Sequence, residues 1–389
     1  MTSTPVSEKK KTTTERLKRP SWNSLSQKVF GDIYQAITGS LHLPGRFVQR
    51  ALANGLPERD LEHAIRCAKT LKELPDYLLS ASEQKLEKAT YWDELGLKTQ
   101  ARDYYLESAQ WGIYAELLLE DEEHRCQVWR QYRESYFRAS PYFNAPAESV
   151  AIHYLATNLI GYFRRPPQDE ESFEKLPVVI LLNGLFAPIE ELHYLENSLL
   201  SQGFATLSVD YPGVTQHSGQ VPSAFDVKEL GNALNLFLSG RPDIDLSRTT
   251  LYGLSLGGRM AMYLALAFPE RFSSIVTMSA PLDLLSDMDR LTPTFAKEHL
   301  VSNLAARSAL YEIAHHTLIE DDIHYIKAPL LVLGGGKDRI ATPEQTKQIF
   351  ERAGSADKKL ILCPGAGHGL YEMMPSVRYE IAQWIKQRS

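Results

Sequence analysis

Six short and almost continuous apolar runs recur in the second half of this chain, and they constrain its fold more than any other feature. Runs of this kind are typical of parallel strands that are covered on both faces. Segments with helical spacing separate them, and this alternation favours right-handed crossovers and a doubly wound α/β sheet. The runs lie at residues 177–182, 205–209, 249–253, 274–278, 329–333 and 359–362.

Two further runs with strand character precede the sheet, at residues 149–154 and 158–164, and they predict an antiparallel edge pair. Ser223, followed three residues later by Asp226, predicts the capping box of a helix that runs to Gly240. The sheet is therefore expected to be mostly parallel, with an antiparallel pair at its start.

The chain before residue 145 has a different texture, because its apolar residues recur at helical spacing. Its many aromatic side chains either fill contacts between helices, which is their usual role, or line a ligand cavity. We predict a disordered tail at residues 1–20, a helical N-terminal domain at 21–145 and the doubly wound domain at 146–389. Nearly fifty residues join two of the predicted strands, so residues 282–328 are predicted to form a helical lid insertion.

Composition narrows the class of protein. Hydrophobic residues make up 43% and charged residues 23% of the 389-residue chain, as in ordinary globular proteins. The net charge of −6, with acidic and basic residues interleaved, offers no broad cationic surface for nucleic acid. No apolar run is long enough to span a membrane, and residues 1–20 have no apolar core of a secretory signal. The widely spaced Cys67, Cys126 and Cys363 favour a reducing compartment, so we expect a cytoplasmic protein.

The sharpest motif is Gly253-Leu254-Ser255-Leu256-Gly257, a G-x-S-x-G sequence between a predicted strand and an apolar helix. Small residues flank the serine because the chain must reverse from strand to helix in one tight turn. Such a turn exposes the hydroxyl of Ser255 above the sheet. Its position between strand and helix favours a nucleophile over a simple glycine-rich turn.

A serine hydroxyl is a weak nucleophile, so it needs a base, and the base needs an orienting acid. In this topology the acid and then the histidine follow the serine, each on a loop after a later strand. Asp338 follows the strand at 329–333, and His368 follows the last strand. We therefore predict a catalytic triad of Ser255, Asp338 and His368. The other histidines after Ser255 are His299, His315, His316 and His324.

Backbone N–H groups should stabilise the oxyanion that forms on the substrate. The first is predicted at Leu256, directly after the nucleophile. The second belongs to the turn after the first central strand, where Gly184 lets the chain bend. Leu185 is the favoured donor there, and Phe186 is the alternative.

Three weaker features are interpreted structurally. Residues 334–337 lack the spacing of a phosphate-binding loop, so we assign them to the end of a strand. The histidines at 315, 316 and 324 lack a metal-binding pattern, and no metal is predicted. Glu190 and Glu191 are predicted to open a helix, where acidic side chains are favourable.

In the G-x-S-x-G motif and the predicted triad, the chain resembles the α/β-hydrolase superfamily. Within that superfamily it resembles a narrower group. This group contains 2,6-dihydroxypseudooxynicotine hydrolase, the fungal heptaketide-shortening pigment hydrolases and the fermentation-respiration switch proteins. Residues 183–191 (Asn-Gly-Leu-Phe-Ala-Pro-Ile-Glu-Glu) are similar to its Gly-Leu-Asp-Ser-x-Lys-Glu-Glu stretch. Residues 209–214 are similar to its Asp-x-Pro-Gly segment, and residues 101–119 and 132–139 to its helical N-terminal domain.

The resemblance implies a helical domain that covers the active site, and hydrolysis of esters or of a C–C bond beside an aryl or polyketide ketone. Ser255, Asp338 and His368 fall on the triad positions of the group. The chain departs from the group where Phe186 and Ala187 replace Asp-Ser and where Ile189 replaces Lys.

We therefore expect a serine hydrolase that acts through an acyl-enzyme on an ester, thioester or ketone C–C bond. Its expected partner is a small aryl or polyketide-like substrate. We expect no cofactor and no binding to nucleic acid or membranes. Whether the protein forms a homodimer is left open. Two alternatives also stay open. The same triad could serve a polyketide-type cyclase or acyltransferase, or the scaffold could belong to a regulatory binding protein.

Overall fold

A single β-sheet forms the centre of the structure. This computed structural model describes residues 41, 43–168, 174–211, 226–299, 311, 314–315, 317 and 319–389, so the tail predicted at 1–20 lies outside the described residues. Within the described residues, eight strands form one sheet. The strands are β1 (Ala147–Tyr154), β2 (Thr157–Arg164), β3 (Leu176–Leu182), β4 (Ala205–Val209), β5 (Ile244–Leu254), β6 (Ser274–Met278), β7 (Leu330–Gly335) and β8 (Lys358–Cys363).

The strands lie in the order β1-β2-β4-β3-β5-β6-β7-β8. β2 is antiparallel to β1 and to β4, and the remaining neighbours are parallel. The predicted doubly wound, mostly parallel sheet and its antiparallel edge pair are confirmed. Leu182 at the end of β3 pairs with Gly253 of β5, and Leu254 of β5 pairs with Met278 of β6. The loops that follow these strands therefore begin side by side at one edge of the sheet.

Strand β5 is longer than its sequence predicts. We expected it to begin at residue 249, but it begins at Ile244. Of the added residues, Asp245, Ser247 and Arg248 are polar and only partly buried or exposed, so they interrupt the apolar signal of Ile244 and Leu246. A register irregularity between Leu176 and Val178 of β3 accompanies this extension.

Helices make up most of the described chain before the sheet, as the apolar spacing predicts. The residues from 25 to 40, where the predicted helical pattern begins, lie outside the described residues. The helices are α1 (Gly45–Ala53), α2 (Glu58–Cys67), α3 (Leu74–Glu94), α4 (Lys98–Glu116) and α5 (Glu122–Ala139). Of their aromatic side chains, Tyr105, Trp111 and Tyr132 are buried between helices, whereas Tyr91 and Phe137 are exposed.

Further helices flank the sheet. They are α6 (His193–Leu200), α7 (Val227–Ser239), α8 (Leu256–Ala267), α9 (Met288–His299), α10 (Pro343–Arg352) and α11 (Met374–Lys386). The cap predicted for α7 is corrected, because Asp226 is itself the N-cap and accepts from the backbone N–H groups of Lys228 and Glu229. Ser223 lies outside the described residues.

Alternate residues of the central strands point to opposite faces of the sheet. Val178 and Ile180 of β3 join a core that includes residues of α7 and α8. Val179 and Leu181 join a second core that includes residues of α4, α5, α6 and α11. The helices before the sheet therefore share a hydrophobic core with one of its faces.

The lid predicted at 282–328 is described in part. It contains α9 and a short 3₁₀ turn at Ile323–Tyr325. Residues 300–310 and His316 lie outside the described residues. No helix in the described part of the chain is long and apolar enough to cross a membrane.

A buried histidine lies where α5 meets α6. The Nδ1 atom of His193 is 3.1 Å from the hydroxyl of Tyr136, and its Nε2 atom is 3.0 Å from Nδ2 of Asn197. Burial, together with the positive charges of Arg164, Arg378 and Arg102, lowers the pKa of His193 well below its ordinary value. The folded protein therefore holds this imidazole neutral.

This histidine should make stability fall in mild acid. Below pH about 6.5 the unfolded chain binds a proton at His193 that the folded chain does not, which costs up to about 1.4 kcal/mol per pH unit. Urea unfolding at pH 7.5, 6.5 and 5.5 should show this loss, and His193→Gln should reduce the slope. An identical slope in both proteins would contradict the prediction.

Candidate active site

Ser255 lies between the last residue of β5 and the first residue of α8. Its backbone has φ 55° and ψ −119°, a conformation that L-residues rarely adopt and that costs about 1–3 kcal/mol. The surroundings hold it there. Its N–H donates to the carbonyl of Met278 at 2.8 Å, and its own carbonyl accepts from the N–H of Gly258 at 2.9 Å. The predicted strand, turn and helix are present.

Two positions of the motif require glycine because no space is left there for a side chain. A Cβ atom at Gly257 would lie 2.0 Å from the carbonyl oxygen of Leu182, and one at Gly253 would lie 2.1 Å from the carbonyl oxygen of Gly257. Real Cβ atoms essentially never approach so closely. The G-x-S-x-G spacing thus lets the serine turn pack directly against the end of β3.

Ser255, His368 and Asp338 form a continuous chain of hydrogen-bond contacts. The Nε2 atom of His368 is 2.8 Å from Oγ of Ser255. The Nδ1 atom of His368 is 2.9 Å from Oδ2 and 3.0 Å from Oδ1 of Asp338. In sequence, Ser255 and His368 are 113 positions apart. The structure therefore brings the three predicted side chains together.

The loops that carry the aspartate and the histidine are joined to each other. The N–H of Gly336 donates to the carbonyl of Cys363, and the N–H of Lys337 donates to that of Ala366. A Cβ atom at Gly335 would lie 2.3 Å from the carbonyl oxygen of Gly367. The glycines at 334–336 therefore serve close packing at the end of β7, as predicted from the absence of a phosphate-loop spacing.

Backbone and hydroxyl groups fix the two loops further. Oδ1 of Asp338 accepts from the N–H groups of Ile340 and Ala341, at 2.8 and 2.9 Å. The N–H of Gly369 donates to Oγ of Ser279 at 3.0 Å. Sequence reasoning missed Ser279, which follows β6 with a positive φ of 50°. Its position directly after a strand that neighbours β5 was the available signal.

The two predicted oxyanion donors lie beside the serine turn. Leu256 is the first residue of α8, so its N–H has no acceptor within the helix. Residues 184–187 form a tight turn in which the N–H of Ala187 donates to the carbonyl of Gly184. A Cβ atom at Gly184 would lie 3.1 Å from Cβ of Ser255, so this turn passes next to the serine. Leu185 is the second residue of the turn and is 1% exposed.

Apolar residues of the helices and of the predicted lid segment pack beside the site. The side chains of Ser255, His368 and Asp338 are all buried. An apolar group, here called the cover cluster, joins the serine turn and the 184–187 turn to α1, α4 and the lid. The residues of the cover cluster used below are Phe47, Trp111, Leu185, Phe186, Leu256, Leu284, Met288 and Leu291.

Glu190 and Glu191 were predicted to open an α-helix, but the structure places them in a different setting. They lie in a 3₁₀ turn, Ile189–Leu192, and both are buried. Glu191 pairs with Arg50 at 2.8 Å, and Glu190 pairs with Arg133 at 3.1 Å. Burial alone would lower the pKa of Arg50, but the charge of Glu191 raises it above its ordinary value. Two adjacent acids amid apolar residues were the signal that sequence reasoning left unused.

Two of the other histidines lie at the surface, away from this buried arrangement, and His316 lies outside the described residues. His315 and His324 are exposed. In the ranges that the structure covers, no three or more His, Cys, Asp or Glu side chains are grouped to hold a metal ion. Cys67, Cys126 and Cys363 form no disulfide bond.

Comparison with known proteins agrees with the fold. A family model for the alpha/beta hydrolase fold matches residues 177–300, and a model for serine aminopeptidase, S33, matches residues 283–372. The 2,6-dihydropseudooxynicotine hydrolase of Paenarthrobacter nicotinovorans is 25% identical over 313 residues, which is 80% of this chain and 83% of that protein. A mitochondrial palmitoyl-protein thioesterase from Homo sapiens is 24% identical over 234 residues, covering 55% of this chain and 75% of that one.

The crystal structure of the 2,6-dihydroxy-pseudo-oxynicotine hydrolase superposes with a TM-score of 0.74 and 23% identity, over 87% of this chain and 95% of that chain. The sheet, the serine turn at residues 253–257 and these matches define the fold class: the chain has the α/β-hydrolase fold. Within that class it resembles the 2,6-dihydroxypseudooxynicotine hydrolase, helices before the sheet included. Pro212 and Gly213 of the similar Asp-x-Pro-Gly segment lie outside the described residues.

The steric role of Gly257 can be tested by a substitution that adds a single methyl group. Gly257→Ala should lower the free energy of unfolding by about 3 kcal/mol or more, because the turn must move away from β3. Gly45→Ala is the matched control, since a Cβ atom there would meet nothing within 4 Å. Urea unfolding of both variants measures the difference. Equal stability of the two variants would contradict the prediction.

Proposed function

We propose that this α/β-hydrolase is a serine hydrolase in which Ser255 forms an acyl-enzyme, His368 transfers the proton and Asp338 orients the imidazole. The observation that carries the proposal is the 2.8 Å contact between Nε2 of His368 and Oγ of Ser255 on a strained strand-to-helix turn. A serine with an aligned base and an aligned acid has the chemistry of an activated nucleophile.

The reaction follows from these positions. Oγ of Ser255 attacks the acyl or ketone carbon while Nε2 of His368 takes the hydroxyl proton. Asp338 stabilises the imidazolium that forms. The N–H groups of Leu256 and Leu185 receive the oxyanion, and the loss of one such donor costs about 3–4 kcal/mol. His368 then protonates the leaving group, and water releases the acyl group by the reverse sequence.

The cover cluster supports an aryl or otherwise apolar substrate. Phe186, Trp111 and Met288 bring large apolar side chains to the turns that flank Ser255. Phe186 stands where the similar group has Asp, which makes this wall more apolar. The thioesterase among the relatives supports a thioester as the bond that is cleaved. The resemblance to the 2,6-dihydroxypseudooxynicotine hydrolase group supports an ester or a ketone C–C bond.

Removal of the nucleophile tests the proposal. Ser255→Ala should lower turnover of 4-nitrophenyl esters by roughly 10⁶-fold while the thermal unfolding temperature stays close to that of the wild type. A fluorophosphonate probe should label wild-type Ser255 and leave the variant unlabelled. Near wild-type activity in Ser255→Ala would refute the serine mechanism. A folded wild type that the probe does not label would favour a regulatory binding protein.

The burial of the site favours one second candidate. Ser255 is only 5% exposed beneath the helices, and exclusion of water would let the acyl group pass to another nucleophile. The protein would then be a cyclase or acyltransferase with the same triad. Turnover in ¹⁸O-water separates the two functions by mass spectrometry. Hydrolysis should place label in the released acid, whereas a product without label would identify transfer.

A further inference from the structure

The turn that carries Leu185 holds a conformation that its own residues disfavour. The N–H of Ala187 donates to the carbonyl of Gly184 at 3.1 Å, which closes a β-turn. Phe186, the third residue of this turn, has φ 56°, while Leu185 is not among the residues with positive φ. This is the pattern of a type II turn, which normally takes glycine at its third position. Something outside the turn must therefore stabilise it.

Arg50 of helix α1 bonds this turn directly. Its Nη2 atom donates to the carbonyl oxygen of Phe186 at 3.0 Å and to Oε2 of Glu191 at 2.8 Å. Its Nε atom donates to the carboxylate of Glu191 at 3.0 Å. The guanidinium thus holds both the turn and the segment that follows it. The side chain is 4% exposed, so water competes little for these bonds.

The helical domain holds Arg50 and Glu191 in place. The hydroxyl of Tyr114 in α4 lies 2.9 Å from Oε1 of Glu191 and 3.0 Å from the carbonyl oxygen of Arg50, and either oxygen can accept its single hydrogen. Nδ2 of Asn54 lies 3.1 Å from the same hydroxyl. Two helices and the segment after β3 therefore share one buried polar network.

We propose that Arg50 is a positioning residue that keeps the 184–187 turn in its type II form, so that the helical domain completes the oxyanion hole. The inference rests on the proposed function, because it concerns the donor at Leu185. Arg50 itself contacts no reacting atom. It acts on the backbone of the turn.

The alternative form of the turn explains why this matters. If φ of Phe186 relaxed to a negative value, the turn would become type I. The peptide between Leu185 and Phe186 would then flip, and the carbonyl of Leu185 would change places with the N–H of Phe186. A carbonyl dipole would be reoriented beside the oxyanion donor. Misplacement of about 1 Å in such a site can cost about 10²-fold in rate.

Arg133 provides a matched control on the same surface. It also comes from the helical domain, and its Nε atom is 3.1 Å from Oε1 of Glu190 while its Nη1 atom donates to Oδ2 of Asp210 at 3.0 Å. It is 9% exposed. Arg133 and Arg50 thus pair with adjacent glutamates. Arg133 bonds only to carboxylates in the contacts given above, whereas Arg50 also bonds to a backbone carbonyl of the turn.

The first experiment compares Arg50→Lys with Arg133→Lys. Lysine keeps the charge but cannot hold a carboxylate and a carbonyl with one planar group. Arg50→Lys should lower kcat for 4-nitrophenyl acetate by about 10- to 100-fold with KM changed less than about threefold, and it should slow fluorophosphonate labelling equally. Arg133→Lys should change kcat less than about threefold, since it affects docking alone. Equal losses of kcat in both variants would overturn the inference.

A double-mutant comparison separates turn geometry from general destabilisation. Glycine adopts positive φ without steric cost, so in Phe186→Gly the turn needs less support from Arg50. Arg50→Lys should therefore lower kcat much less in the Phe186→Gly background than in the wild type. The same fold-loss in both backgrounds would overturn the inference. If Arg50→Lys fails to fold, R50Q combined with E191Q removes both charges together and is measured in the same two backgrounds.

Ser255→Ala separates a failure of the role of Arg50 from a failure of the proposed serine mechanism. Loss of activity in Ser255→Ala together with unchanged kcat in Arg50→Lys would leave the serine mechanism intact and remove the role of Arg50. Retained activity in Ser255→Ala would instead remove the proposed function on which the inference rests.

Discussion

The close approach of two backbones at the end of the sheet is the constraint on which the site depends. Because Gly257 carries no side chain, the first turn of α8 packs directly on the carbonyl of Leu182. This contact sets the serine turn beside the 184–187 turn, and both predicted oxyanion donors follow from it. The positive φ of Ser255 is tolerated because hydrogen bonds from β6 and α8 hold its peptide groups. Packing and backbone strain therefore act together here.

The helices before the sheet do more than cover one face. Their apolar residues continue the core of the sheet, and their arginines pair with buried glutamates that follow β3. A buried ion pair is costly unless its remaining hydrogen bonds are satisfied. Tyr114 and the carbonyl of Phe186 satisfy part of this need at Arg50 and Glu191. The docking of these helices on the sheet and the shape of the candidate active site are thus linked through the same few polar groups.

Some elements could be predicted accurately from the sequence, and others could not. The strand at 205–209 was predicted to the residue, because its apolar run is sharply bounded. The predicted start of β5 was wrong because polar Asp245, Ser247 and Arg248 interrupt the apolar pattern in its first half. Asp338 and His368 were predicted from chain order and glycine-rich loops, and the structure places them in contact. Ser279, Arg50 and Arg133 were missed because a single serine or arginine carries no periodic signal.

By itself, the sequence determined the succession of strands and helices, the reversal at Ser255 and the order of the three predicted triad residues. These properties are local, since they follow from apolar spacing, glycine sterics and the parallel sheet that alternation imposes. Only the tertiary structure decided that Arg50 meets Glu191 across 141 positions and that Phe186 takes a positive φ. Such contacts depend on how separate elements dock, and the free energy of docking is spread over many residues that no short motif contains.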